Sequence, residues 1–126
     1  MFCVFNDNYL TVERGDSFSF PIDINEGNEL NYKKYTLTEF DILYVGIYSP
    51  NQPFENSIIR RTLNHTSNTD AEGNILFELV PEDTLNLKTG KYFISIKIKQ
   101  GKNVYTILPQ KEFWILGTDK DCCNCI

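Results

Sequence analysis

Alternating apolar and polar side chains are the main pattern along this chain, and they predict β-strands. In "SFSFPIDI" (residues 17–24) every second residue is apolar, which is typical of a strand with one face in a core. The segment "KYFISIKIK" (91–99) alternates in the same way. The segment "DILYVGIYS" (41–49) is almost continuously apolar, which indicates a central strand covered on both faces.

Shorter runs of strand length extend this prediction to about nine strands. They are rich in β-branched and aromatic residues and are bordered by Gly, Pro, Asn or Asp. These runs are "FCVFN" (2–6), "YLTVE" (9–13), "SIIRRTL" (57–63), "NILFELV" (74–80), "VYTILP" (104–109) and "EFWILG" (112–117). The longer polar stretches between them, 25–34, 50–56 and 64–74, are predicted to be loops.

The tetrapeptide Arg14-Gly15-Asp16-Ser17 matches a cell-adhesion signal, but a hairpin turn explains each of its residues. Gly15 supplies backbone freedom, Asp16 can bond turn amides, and Arg14 reaches solvent. Integrin recognition would also need an extracellular setting, which nothing in the sequence supports. We therefore predict a turn between two strands.

The connection "VPEDTLNLKTGKYFISI" predicts the fold more specifically. Pro81 can open a single helical turn, Gly90 can adopt a left-handed conformation, and Tyr92 begins the next strand. This spacing is similar to a corner of immunoglobulin-like sandwiches, where a tyrosine hydroxyl returns to the backbone upstream. A plain core tyrosine beside an unrelated turn is the alternative. We predict an all-β, immunoglobulin-like antiparallel sandwich over residues 1–117, of about 7–9 strands with one helical turn near 81–87, followed by a tail at 118–126.

Composition narrows the classes of function. A chain of 126 residues with a net charge of −5 fits one domain and lacks the basic surface that nucleic acid requires. No long apolar run indicates a membrane span, and no signal peptide is visible at the start, so we expect synthesis in the cytoplasm. The single histidine, His65, has no partner at catalytic spacing, and we do not expect an enzyme.

Three of the four cysteines lie in "DKDCCNCI" at the end of the chain. Cys122 and Cys125 have C-x-x-C spacing, which can bind Zn²⁺ or form a redox pair, but a tetrahedral site would need Cys3 as well. An ordinary reduced tail is the simpler interpretation. We therefore predict no metal and no cofactor, with Cys122 and Cys125 as weak metal candidates.

Four segments together resemble small phage-encoded virion proteins of gut bacteria, and also the immunoglobulin-like N-terminal domain of phage baseplate upper proteins. They are "NYLTVERGDSFSF", "DILYVGIYSPNQPFENSIIRRTL", "LVPEDTLNLKTGKYFISIKI" and "VYTILPQKEFWIL". The resemblance implies a virion structural protein, a tail, baseplate or fibre-attachment adaptor that acts through protein–protein contacts. It also implies other virion proteins as partners, a homo-oligomer in the assembly, and production in the host bacterial cytoplasm. A capsid decoration or head-fibre anchor protein would look similar, and the cysteine tail departs from the pattern.

Two aromatic side chains, Phe54 and Trp114, are candidate interface residues, together with Pro53. Phe54 lies in "SPNQPFENS" with Pro50 and Pro53 nearby, so it could anchor a partner with little loss of entropy, or it could fold back onto the core. Trp114 alternates with Phe113, so the two rings point to opposite faces. A carbohydrate- or receptor-binding sandwich is the alternative function, with Tyr48, Phe54 and Trp114 stacking on sugar.

Overall fold

The computed structural model describes residues 2–4, 9–28 and 30–117, and strands far exceed helix in them, 58% against 7%. The predicted all-β, sandwich-like fold is confirmed. One α-helical turn, α1, spans Pro81–Thr84, and a 3₁₀ turn spans Phe54–Asn56. The strands are β1 Phe2–Val4, β2 Tyr9–Glu13, β3 Phe18–Ile22, β4 Ile24–Asn28, β5 Asn31–Lys34, β6 Asp41–Tyr48, β7 Ile59–Leu63, β8 Ile75–Leu79, β9 Gly90–Gln100 and β10 Asn103–Leu116.

The strands form one large sheet and two small ones. The large sheet has the order β2-β10-β9-β6-β7, and all its pairs are antiparallel except β2 with β10, which run parallel. The sheet is therefore mixed, and the prediction of a wholly antiparallel sandwich is wrong at this pair. β3 pairs with β8, and β1-β4-β5 form the third sheet. Because only Asp23 separates β3 from β4, the two small sheets are consecutive along the chain.

The core lies between the five-stranded sheet and the small sheets. The predicted alternation decides which side chains enter it, since one side of each central strand is fully buried. These residues are Leu43, Val45, Ile47, Ile94, Ile96, Ile98, Phe113 and Ile115 from the large sheet, and Ile22, Ile24, Phe77 and Leu79 from the small ones. Phe18 and Phe113 meet edge to face across the layers, with ring centroids 6.1 Å apart.

The corner before β9 is held by Tyr92. Its hydroxyl donates a hydrogen bond to the carbonyl oxygen of Lys88 at 2.7 Å, and burial raises the pKa of that hydroxyl. Gly90 has a φ of +135°, a conformation that favours glycine. Leu87 packs against the core, whereas Leu85 is exposed. The predicted helical turn is present at Pro81–Thr84. The assignment of the sandwich to the immunoglobulin-like class stays a prediction.

The turn at Arg14-Gly15-Asp16 connects two sheets and is not a hairpin, so that part of the prediction is wrong. The Asp16 N–H donates to the Glu13 carbonyl at 3.0 Å, and Gly15 has a φ of +85°. The Gly15 N–H donates to Thr84 Oγ1 at 2.8 Å, which ties the turn to α1. β2 and β3 do not pair because β2 lies beside β10 and β3 beside β8.

Two other segments differ from the prediction. Residues 25–34, predicted as a loop, contain most of the β4–β5 hairpin, whose polar composition reflects its largely exposed position. The runs 104–109 and 112–117 form one strand, β10. Pro109 lies where its register against β9 shifts, so the missing amide interrupts the ladder without ending the strand. No helix in the described part of the chain is long and apolar enough to cross a membrane.

Candidate binding surface

The candidate site lies on the outer face of the five-stranded sheet, defined as the side opposite the core. Alternation places every second residue of each strand on this face. The side chains that share it are Thr11 of β2, Glu112, Trp114 and Leu116 of β10, Lys91, Phe93, Ser95 and Lys97 of β9, Tyr44, Gly46 and Tyr48 of β6, and Arg60 and Thr62 of β7. The face therefore combines aromatic rings with basic side chains.

Phe54 folds back onto this face. A Cβ atom at Gly46 would lie 2.8 Å from Phe54 Cε1 and 2.3 Å from Ser57 Oγ, so the loop can approach the sheet only because position 46 is glycine. The ring also meets Tyr48 edge to face, with centroids 6.2 Å apart. Phe54 is half-buried and Pro53 is exposed. The sequence left open whether Phe54 would protrude or fold back; it folds back, but onto the outer face and not the core.

Hydrogen bonds hold the Phe54 loop in one shape. Ser57 Oγ donates to the Phe54 carbonyl at 2.6 Å, and Asn56 Nδ2 donates to Gln52 Oε1 at 2.8 Å. From β7, Arg60 Nε donates to the Ser57 carbonyl at 3.2 Å and Arg60 Nη2 donates to the Glu55 carbonyl at 2.5 Å. The loop is thus ordered by its own contacts before any partner binds.

An open depression of about 450 Å³ lies between this loop and the sheet. Its lining includes Tyr44, Gly46, Phe54, Glu55, Arg60 and Lys97. The Lys97 ammonium stands 5.0 Å from the Phe54 ring centroid, a cation–π distance. Neither Arg60 nor Lys97 makes an ion pair within the described residues, whereas Arg61 pairs with Asp83 at 2.5 Å. The depression therefore offers two basic groups beside aromatic surface, with Glu55 as the acidic residue among those lining residues.

Trp114 occupies the same face two strands from β6. Its partner in register on β9 is Lys91, and its indole Nε1 donates to Glu112 Oε1 at 3.0 Å. Trp114 is half-buried, Leu116 is 38% exposed, and both line a shallow open area with Thr11. Phe113, by contrast, is in the core, so Trp114 is the ring available at the surface.

The prediction that Tyr48 stacks on sugar is wrong. Only 6% of it is exposed, because Phe54 and Phe93 cover its ring at centroid distances of 6.2 and 6.1 Å. Its hydroxyl shares a 2.8 Å hydrogen bond with Ser95 Oγ. Replacing Tyr48 would therefore test packing and not ligand binding.

A buried carboxylate that the sequence did not single out lies at the start of β6. Asp41 is 2% exposed and accepts hydrogen bonds from the Thr38 N–H at 2.8 Å, the Tyr35 hydroxyl at 2.5 Å and Gln100 Nε2 at 3.0 Å. Desolvation acts to raise the pKa of Asp41, but these hydrogen bonds outweigh it and lower the pKa. Burial, and then the contact with Asp41, raises the pKa of Tyr35 to about 12. Because donors from the connection before β6 and from the end of β9 satisfy its oxygens, this cluster serves structure.

The weak metal candidates Cys122 and Cys125 lie outside the described residues. Within residues 2–4, 9–28 and 30–117, no group of three or more His, Cys, Asp or Glu side chains is placed to hold a metal ion.

No protein-family model matches the chain, and no curated protein matches it in sequence.

Proposed function

We propose that this protein is a β-sandwich adaptor that acts through protein–protein contact, with the outer face of the five-stranded sheet as its docking surface. The observation that carries the proposal is the ordered Phe54 loop, which places an aromatic ring beside Arg60 and Lys97. A surface already fixed before binding loses little conformational entropy in a complex. Aromatic and arginine side chains are also the residue types that contribute most at protein interfaces.

We further propose that the assembly is a phage virion, with a tail, baseplate or fibre-attachment position. The resemblance of residues 9–116 to phage proteins supports this setting. The hydrogen bond from Tyr92 to Lys88 supports the immunoglobulin-like class that the resemblance implies. A capsid decoration or head-fibre anchor would use the same kind of surface. Copies of the chain would be arranged with the symmetry of the substructure that they join.

Mass spectrometry of purified phage particles tests the setting. We expect the chain in the particles at a copy number that fits one symmetric substructure, and we expect Trp114→Ala to lower its incorporation. Lys102→Ala is the control, because Lys102 is exposed in the turn between β9 and β10 and lies off the docking surface. Absence of the wild-type chain from particles would contradict the virion setting.

Carbohydrate binding is the second candidate function, and Trp114 is the observation that favours it. A half-exposed indole bordered by Thr11 and Glu112 offers a flat ring with polar groups beside it. Binding of the isolated protein to a glycan array, lost in Trp114→Ala and kept in Lys102→Ala, would favour this function. Particle incorporation that is independent of glycan would favour the adaptor.

A further inference from the structure

The depression at the Phe54 loop has a local charge opposite to that of the whole chain. The chain carries −5 overall, yet Arg60 and Lys97 line one depression, and neither makes an ion pair within the described residues. Two hydrogen bonds of the Arg60 guanidinium go to uncharged backbone carbonyls, those of Ser57 and Glu55. A guanidinium has five N–H donors, so three remain for a ligand. The charge pattern therefore favours an anionic group.

The strand register gives the spacing of the two cations. Arg60 is paired with Gly46, and Lys97 is paired with Tyr44, so the cations stand on strands at either side of β6. Two strand spacings put their backbones roughly 10 Å apart. Phe54 lies above Gly46 between those strands, with Lys97 over its ring. A ligand that reaches both cations must therefore cross an aromatic surface.

The position of β7 favours a protein segment as the source of the anionic group. β7 is the last strand in the order of the five-stranded sheet, and within the described residues only β6 pairs with it. An extended peptide can add to such an edge through main-chain hydrogen bonds. Every second side chain of the added strand would then fall on the outer face, beside Arg60 and Thr62.

We infer that the depression and the adjoining edge of β7 bind an extended acidic segment of a partner protein. A carboxylate of that segment bonds to Arg60, and Lys97, on the far side of β6, attracts the acidic segment at longer range. This inference rests on the proposed adaptor function, because it names the chemistry of the partner that the docking surface receives.

A peptide titration followed by amide NMR of the whole chain tests the inference. The probe is the eight-residue peptide Ser-Asp-Ser-Val-Ser-Asp-Ser-Val, which as a strand places Asp and Val on the same face, and its matched control has Asn in place of Asp. We expect the acidic peptide to shift the amides of β7 and of residues 54–57, with an affinity that falls as salt is raised. Arg60→Gln keeps a donor for the loop carbonyl but removes the charge, and we expect it and Lys97→Gln each to weaken binding about fivefold. Lys102→Gln, outside the depression, should bind like the wild type.

Three outcomes would overturn the inference: equal binding of the Asn peptide, shifts confined to other strands, or binding unchanged in the Arg60→Gln, Lys97→Gln double variant. Binding of a sulfated oligosaccharide or inorganic phosphate in preference to the peptide would overturn the assignment to a protein segment. Circular dichroism of each variant checks that the fold is kept. Particle incorporation separates the two proposals. If the double variant entered particles to the same extent as the wild type, the inference would be wrong but the adaptor function would not be contradicted.

Discussion

Replacing Asp41 by alanine removes the acceptor at the centre of the buried cluster. The carboxylate bonds the Thr38 N–H, the Tyr35 hydroxyl and the Gln100 amide, all at 3.0 Å or less. Hydrogen bonds to a charged group contribute about 1.5–3 kcal/mol each, part of which water recovers at the partly exposed Tyr35. We expect Asp41→Ala to lower the free energy of unfolding by about 3 kcal/mol at neutral pH, and Asp41→Asn by about half as much since one oxygen remains.

The same cluster makes stability depend on pH at both extremes. The folded pKa of Asp41 is below its ordinary value of about 3.9, so its stabilisation is full above that pH and is lost as the pH falls through the folded pKa. The pKa of Tyr35 is raised from 10.0 to about 12, so its contribution is full below pH 10 and is lost as the pH rises towards 12. Asp41→Asn should therefore reduce the loss of stability at acid pH, and Tyr35→Phe should reduce the loss of stability at alkaline pH.

Urea unfolding between about pH 2 and 7 measures the effect of Asp41, and unfolding between about pH 8 and 12 measures that of Tyr35. The fluorescence of the single tryptophan follows both. Glu39→Gln is the control, because Glu39 is an exposed carboxylate close to Asp41 in sequence. The reasoning would be refuted if Asp41→Ala were as stable as the wild type at pH 7. It would also be refuted if the free energy of unfolding of Asp41→Asn fell at acid pH as steeply as that of the wild type.

Two further substitutions test the outer face and the corner. Gly46→Ala should displace the Phe54 loop, since the new Cβ would lie 2.3 Å from Ser57 Oγ, and it should cost about 1–3 kcal/mol; unchanged thermal unfolding and unchanged amide shifts in the loop would contradict this. Tyr92→Phe should cost about 1 kcal/mol through loss of the bond to the Lys88 carbonyl, and equal urea midpoints for the two proteins would count against that role.

Local pattern predicted the strands well because alternation follows directly from which side of a strand meets the core. It placed Phe113 and Trp114 on opposite faces correctly, and the structure shows that Phe113 is the one in the core. It failed for β4 and β5, since an exposed hairpin needs no apolar alternation. It predicted the turn at Arg14-Gly15-Asp16 but not the pairing of the strands beside it, because the partner of β2 is β10, about 100 residues away along the chain.

The candidate site was less predictable because its parts are distant in sequence. Phe54 was identified from its prolines, but its position depends on the missing side chain at Gly46. In the sequence, Arg60 and Lys97 resemble ordinary surface residues. Only the strand register shows that they lie on either side of β6. The Asp41 cluster was missed in part for the same reason, since Tyr35 and Thr38 are near Asp41 in sequence but Gln100 is 59 residues away.

The nearly continuous apolar sequence of β6 follows from the loop that covers its outer face. Leu43, Val45 and Ile47 enter the core, but Gly46 and Tyr48 on the other side are also buried, beneath the Phe54 loop. The predicted cover on both faces is therefore present only over Gly46 and Tyr48, since Ile42 and Tyr44 are half-buried, and a ten-residue connection rather than a second sheet supplies it. The same contact thus buries Tyr48 and forms one wall of the depression, so a partner that moved the loop would have to expose that ring. For this reason we expect docking to leave the Phe54 loop in place and to use the surface as it stands.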